Sequence, residues 1–276
     1  MAPQANMNGA LAGKVAVITG ASRGIGEAIA VRYAMEGAKV VVSARTVNEG
    51  DHSLEGSING VVENIRKAGG EATAVRCDLS VGDDRTALIE QTEAAYGPVD
   101  ILVNNAAVTF FIPVADFPER RFRLMQEVQV YSPFHLAQLV IPKMREKGAG
   151  WIINVSSHAA LHPKPEAGGR GGTVYGMCKA ALERFTTGLA SEVYQDGIAV
   201  NVISPGLVAT PGTVHHKLVS EASKERETPV EHMAEACLKL ASGDPKALTG
   251  RITYANDMMQ EFSLTAAELP LQPLTR

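Results

Sequence analysis

Apolar residues in this chain come in short blocks, each closed by a polar or glycine-rich break. Lys14-Val15-Ala16-Val17-Ile18-Thr19 is β-branched and apolar, ends in a glycine loop, and is followed from Glu27 to Glu36 by good helix formers that stop at Gly37. That is strand, loop, helix. The unit recurs as strand Ala38–Ser43, helix Ile58–Ala68, strand Glu71–Cys77 and helix Asp84–Tyr96. Strand Asp100–Asn104, a long helical stretch Glu119–Lys147, and strands Gly150–Val155 and Ile198–Ile203 continue it. Helix Val230–Ala241 and strand Arg251–Tyr254 close the series. Continuous apolar strands alternating with helices predict a doubly wound α/β fold, a seven-stranded parallel sheet covered by helices on both faces. The predicted organisation is a flexible leader at 1–10, a single domain at 11–261 and a tail at 262–276. The tail holds Pro270 and Pro273 and lacks clear periodicity, so it is expected to fray or to pack on a neighbouring subunit.

Composition narrows the function classes. In 276 residues, 45% hydrophobic and 20% charged, 26 basic side chains face 30 acidic ones for a net charge of −4. That balance leaves no electrostatic footprint for nucleic acid or anionic lipid. Apolar runs such as Val40-Val41-Val42 are far shorter than the ~20 residues needed to span a bilayer. Residues 1–10 have neither the basic start nor the apolar stretch of a secretory signal. Cys77, Cys178 and Cys237 are an odd number without CxxC spacing, which suits a reducing compartment and supplies no metal cluster. A cytoplasmic home and no metal are the expectations.

Two stretches break the rhythm: His158–Thr173, rich in glycine and proline, and the polar Leu207–Pro229. Both follow strand ends, where an open α/β sheet binds its ligands, so they read as pocket rim, the second as a lid; plain surface loops are the alternative. Glycines also mark the first strand–helix junction, Thr19-Gly20-Ala21-Ser22-Arg23-Gly24-Ile25-Gly26. They let the backbone turn tightly and approach a pyrophosphate at the helix N-terminus, which points to a dinucleotide. The second strand ends Ser43-Ala44-Arg45. With no carboxylate to repel a ribose 2′-phosphate, and with Arg45 and Arg23 nearby, NADP(H) is favoured and NAD(H) is the alternative.

Tyr175 and Lys179 stand four apart in an Ala-rich helical stretch and so share one helix face. A neighbouring ammonium is expected to lower the tyrosine pKa and make an acid/base pair. The strand ending Asn154-Val155-Ser156-Ser157 brings hydroxyls to the same sheet edge. Ser157 lies in Val-Ser-Ser-His, not in a Gly-x-Ser-x-Gly elbow, which argues against a hydrolase nucleophile.

Taken together, these motifs resemble the short-chain dehydrogenase/reductase family from about Leu11 to Tyr254. They stand in the family's order: the Thr19–Gly26 loop, Cys77-Asp78-Leu79, Asn104-Asn105-Ala106-Ala107, the serine strand, the Tyr175/Lys179 pair, and Pro205-Gly206 with Thr210. The resemblance implies a Rossmann domain and reversible alcohol–carbonyl interconversion by hydride transfer. It makes Tyr175 the proton donor or acceptor, Ser157 the group that polarises the substrate oxygen with Ser156 as fallback, and Lys179 the holder of the nicotinamide ribose. Gly20, Ser22, Arg23, Gly24, Ile25, Gly26, Arg45, Asp78, Leu79, Asn105, Ala106, Pro205, Gly206, Val208 and Thr210 would bind cofactor alongside Tyr175 and Lys179. Asp78 would take the adenine amino group and Thr210 the carboxamide, while Asn104 and Asn105 would support cofactor and central strand.

The chain departs from the family pattern in four places. Gln129 stands where the family usually has a catalytic asparagine that holds a relay water, five residues before Phe134. Tyr175 comes 18 residues after Ser157, a longer gap than usual; the segment 46–57 is extended, and Arg251–Tyr254 lacks the family's usual aspartate and glycines. These features are similar to a divergent, hydroxysteroid-dehydrogenase-like branch. Val108, Phe110, Phe111, His158, Leu161, Leu207 and Val208 are expected at the rim and fit a hydrophobic ketone or secondary alcohol. A homodimer or homotetramer through the long helices flanking the fifth strand is implied by the resemblance alone. A cofactor-binding sensor or scaffold with little turnover is the reading from another class.

Overall fold

A computed structural model describes residues 4–169 and 171–272. The first half of the fold runs β1 (Val15–Thr19), α1 (Gly24–Met35), β2 (Lys39–Ala44), α2 (Ile58–Lys67), β3 (Glu71–Arg76), α3 (Gly82–Tyr96) and β4 (Ile101–Asn104). It continues with α4 (Glu119–Gln126), α5 (Ser132–Lys147), β5 (Gly150–Val155), α6 (Thr173–Glu192), β6 (Ile198–Ser204), α7 (Pro211–His215), α8 (Val230–Ala241), β7 (Ile252–Tyr254) and α9 (Ala255–Glu261). All seven strands pair parallel in the order β3-β2-β1-β4-β5-β6-β7. The predicted doubly wound Rossmann sheet is therefore what forms. Strand order reverses between β1 and β4, the switch point at which such sheets open a crevice for ligands.

Alternate strand residues serve opposite faces, which is why the strands read as unbroken apolar runs. Val17, Val41, Leu102 and Ile152 pack with Leu88, Leu136 and Met144 of α3 and α5. Ile18, Val42, Val103 and Ile153 pack on the other side with Ile29, Ile65 and Met233 of α1, α2 and α8. Full burial of each such side chain contributes ~1.5–3 kcal/mol, so the sheet is a rigid platform for the loops at its edge.

Several boundaries differ from the sequence expectation. α1 starts at Gly24, so two of the loop glycines lie inside its first turn. The stretch 119–147 is broken by π-helical turns at Glu127–Tyr131. Pro133 lies just past the break: it has no N–H to donate to the carbonyl of Gln129 four residues back, and in a regular α-helix its ring would clash with that carbonyl. Within the described residues the expected leader is hydrogen-bonded to the body of the fold: Ala5 N donates to Ala68 O (2.8 Å), Asn6 N to Met35 O (2.8 Å) and Ala10 N to Glu36 Oε2 (2.9 Å). Residues 1–3 lie outside the described part. The tail packs on its own chain. Phe262, Leu269 and Leu271 close the α1–α8 side of the core, and Gln272 N donates to Glu27 Oε1 (3.1 Å). Residues 273–276 of the expected tail fall outside the described residues.

Candidate active site

The glycine loop is fastened to the switch point by Asn105, the residue after β4. Asn105 Nδ2 donates to Thr19 O (2.9 Å) and Gly20 O (3.1 Å), while Thr19 Oγ1 accepts from Asn105 N (3.1 Å). Gly20 takes φ +65°, and a Cβ there would stand 2.7 Å from Ala106 Cα; at Gly26 it would stand 2.5 Å from both Asn105 Nδ2 and Gly20 O. Only glycine fits this cradle. The surrounding cleft is lined by Gly20, Ser22, Arg23, Gly24, Ile25, Gly26, Arg45, Asp78, Leu79, Asn105, Ala106 and Thr210. A dinucleotide fits these residues: bare backbone at a helix N-terminus, a cation at one end and a carboxylate beside it.

Not every expected group faces that cleft in the expected way. The Arg23 guanidinium donates to the loop after β2, through Nε to Glu55 O (2.7 Å) and Nη2 to Leu54 O (3.1 Å) and Gly56 O (2.7 Å). Arg45 is exposed on the cleft wall. Asp78 accepts both Ser80 N (3.0 Å) and Ser80 Oγ (2.7 Å) on Oδ1. Burial opposes its charge, but these bonds and the Arg45 and Arg76 cations hold its carboxyl below the usual range. Thr210 caps α7 in a reciprocal pair with Thr213 and lies against Gly24. Val208 is buried beneath this turn. Pro205 and Gly206 line a separate depression with His158, Leu161 and Tyr254. His158 stacks on Tyr254 with ring centres 4.4 Å apart.

The expected catalytic triplet of Ser157, Tyr175 and Lys179 comes from the turn after β5 and from α6. Lys179 is buried and donates from Nζ to Val155 O (2.8 Å), with Nζ 5.6 Å from the Tyr175 ring centre. Loss of hydration pushes its pKa down to about 8. Tyr175 departs from expectation: burial raises its pKa, and a Ser157 hydrogen bond pulls the other way without prevailing. The ammonium is turned to a carbonyl, and Phe111 lies edge-on to the phenol at 6.1 Å, so desolvation outweighs charge. The fallback serine is engaged elsewhere: Ser156 is 2% exposed and its Oγ donates to Glu183 Oε1 (2.7 Å). Ser157 Oγ accepts from Ala159 N (3.2 Å) and stays beside Tyr175.

Gln129, 1% exposed in the π turns, donates from Nε2 to Val108 O (2.9 Å) and leaves Oε1 buried without a hydrogen-bond partner. An orphaned acceptor at this depth calls for a water or a ligand donor. Phe111 also meets His216 edge-on at 5.6 Å, so the loop after β4 and the segment after β6 touch over the phenol. That contact is consistent with the expected lid. Sequence reasoning missed the polar chain that aligns the strand ends: Asn104 Nδ2 to Asn154 Oδ1 (2.8 Å) and Asn154 Nδ2 to Thr186 Oγ1 (2.8 Å). Asn154 sits at the end of a wholly apolar run, which was the available signal. Among the described residues no group of three His, Cys, Asp or Glu side chains could hold a metal ion, and no helix is long and apolar enough to cross a membrane.

Comparison with known proteins agrees with this fold. The short chain dehydrogenase family model matches residues 14–218. The 7alpha-hydroxysteroid dehydrogenase of Escherichia coli K12 is 34% identical over 265 residues, 92% of this chain and 97% of that protein. A solved 7 alpha-hydroxysteroid dehydrogenase in complex with NADH and 7-oxo glycochenodeoxycholic acid is 34% identical, with TM-score 0.76, over 88% of this chain and 93% of the other. A putative NAD(P)-dependent gluconate 5-dehydrogenase from Beutenbergia cavernae with bound NADP is 31% identical, with TM-score 0.78, over 89% and 96% of the two chains.

Proposed function

The chain belongs to the short-chain dehydrogenase/reductase family, enzymes acting on CH–OH donors, and from that premise we propose that it interconverts a hydrophobic secondary alcohol and its ketone or aldehyde with NADP(H). Bound nicotinamide supplies or accepts the hydride. The chain's own groups handle the proton. Tyr175, whose neutral form partial burial favours further, donates its phenolic proton to the carbonyl oxygen in the reductive direction and takes it back in the other. Ser157 donates to the same oxygen and favours the charge that develops there. Lys179 holds its position through Val155 O and is the replacement cation for the phenol once the proton leaves. Gln129 Oε1 is the acceptor that would hold a relay water. The apolar surround of Phe111, Val108 and Phe110 favours a hydrophobic substrate. The three buried, unpaired cysteines support a reducing, cytoplasmic setting.

The observation that carries the cofactor reading is the tip of β2, where Arg45 is exposed in the cleft and no carboxylate of that strand stands beside it. Titration with NADPH and NADH, followed by nicotinamide fluorescence, tests it. Tighter NADPH binding that weakens selectively in Arg45→Ala is the expected result. An equal or greater affinity for NADH overturns the preference, and binding without turnover across a broad carbonyl and alcohol panel would instead fit the sensor reading.

A further inference from the structure

The segment between β2 and α2, residues 46–57, is tied down along its length. Arg23 holds the carbonyls of 54, 55 and 56, and the Glu49 carboxylate accepts Gly56 N at 3.0 and 3.1 Å. Asp51 Oδ2 accepts Asn48 N (2.8 Å), and Asn48 Oδ1 accepts Asn59 Nδ2 (2.9 Å). Glu49 and Asp51 therefore turn their charge onto backbone donors inside the loop. Near its crest His52 lines the same cleft as Arg45. His52 Nδ1 accepts Leu54 N (3.0 Å), so the proton of the neutral ring sits on Nε2, the nitrogen on the opposite side of the imidazole. Burial, and then the nearby Arg23, Arg45 and His215 of α7, all of them basic residues, hold the pKa of the ring below its usual value. Basic groups from α1, β2, the loop and the lid thus converge on one end of the cleft.

We propose that His52 is a second ligand for the ribose 2′-phosphate, donating from Nε2 across from the Arg45 guanidinium. This assignment rests on the NADP(H) reading. Arg45 reads the anion from the tip of β2, His52 reads it from the extended loop, and Arg23 acts as the strut that sets the loop rather than as a phosphate ligand. The length of the segment, otherwise unexplained by the fold, is what brings His52 back to the cleft.

Calorimetric titration with 2′,5′-ADP and with 5′-AMP, which differ only in the 2′-phosphate, tests the assignment on the apoprotein. His52→Asn is the informative variant, because the asparagine oxygen can still accept Leu54 N while the distant donor is gone. Wild type is expected to favour 2′,5′-ADP, and His52→Asn to lose about tenfold of that preference, the worth of one hydrogen bond to a charged group, with 5′-AMP affinity unchanged. Arg45→Ala is the reference for the underlying reading. If Arg45→Ala abolishes the preference and His52→Asn keeps it, the NADP(H) reading stands and the His52 assignment falls. Equal loss of both nucleotides in His52→Asn overturns the assignment as well, and a wild type without preference removes both.

Discussion

Tyr175 and Lys179 are displaced from their ordinary pKa values in opposite directions by the same cause. Removing water raises a phenol, whose charged form is the anion, and lowers an ammonium, whose charged form is the acid. At neutral pH the pair therefore holds its protons on both members, the state needed to protonate a carbonyl oxygen. As pH rises through about 8, Lys179 loses its charge and the departing phenolate loses its counterion. The rate of carbonyl reduction is expected to fall above about pH 8, a limb belonging to the coupled pair; a profile flat to pH 10 would contradict this. Tyr175→Phe removes the proton donor and leaves the cleft intact. A loss of roughly 10²–10⁴ in kcat, much larger than any loss of NADPH affinity, is expected. Stopped-flow kinetics beside a fluorescence titration checks both halves.

At the scale of elements, the contact between the tail and α1 carries a pH signature. Glu27, 4% exposed in the first turn of α1, accepts Gln272 N, and burial pushes its pKa up to about 7. The folded state thus binds a proton more tightly than the unfolded chain. Between about pH 4.5 and 7 stability falls as pH rises, and above 7 the full cost of a buried carboxylate is present. Glu27→Gln keeps an acceptor for Gln272 and removes the charge. It is expected to stabilise the protein by up to roughly 3 kcal/mol at pH 8 and by almost nothing at pH 4.5. Equal melting-temperature shifts at the two pH values would refute this. The contact was illegible in sequence, because 245 residues separate its partners and Leu269 and Leu271 form no periodic pattern. The strands, by contrast, were legible to within a residue or two, since burial on both faces demands unbroken apolar runs. The glycine loop and the Tyr175/Lys179 spacing were legible because each needs particular residue types at fixed separations. The carbonyls held by Arg23 were illegible for the opposite reason: a long cation suits a phosphate or a set of carbonyls equally well, and the loop that supplies them appears only in the fold. The π turns at 127–131 had a signal in Pro133, which helix periodicity alone passes over.

For the whole molecule, the open question is what covers the outer face of α4 and α5. Phe122, Tyr131 and Phe134 are 38%, 46% and 40% exposed there and, with Val130 and Phe185 of α6, line a shallow groove. Phe134 sits against Tyr131 at 5.9 Å and Phe185 at 6.0 Å, while buried Arg85, paired with Glu127 at 2.7 Å, lies under Tyr131. Rigidly held aromatic side chains on one face are the composition of an interface core, and the cost of ordering them has already been met within the monomer. A second copy of the chain is the expected occupant. The same π turns that carry Gln129 lie in this surface, so assembly would also stiffen the backbone behind the active site. Phe134→Glu places a charge at the centre of the groove and is expected to weaken self-association by ~2 kcal/mol or more, about thirtyfold in the dissociation constant. Light scattering behind size-exclusion chromatography should show wild type as a dimer or tetramer and the variant shifted toward monomer. A monomeric wild type at micromolar concentration would rule this face out as a self-association surface. An oligomer unaffected by the substitution would locate the interface elsewhere.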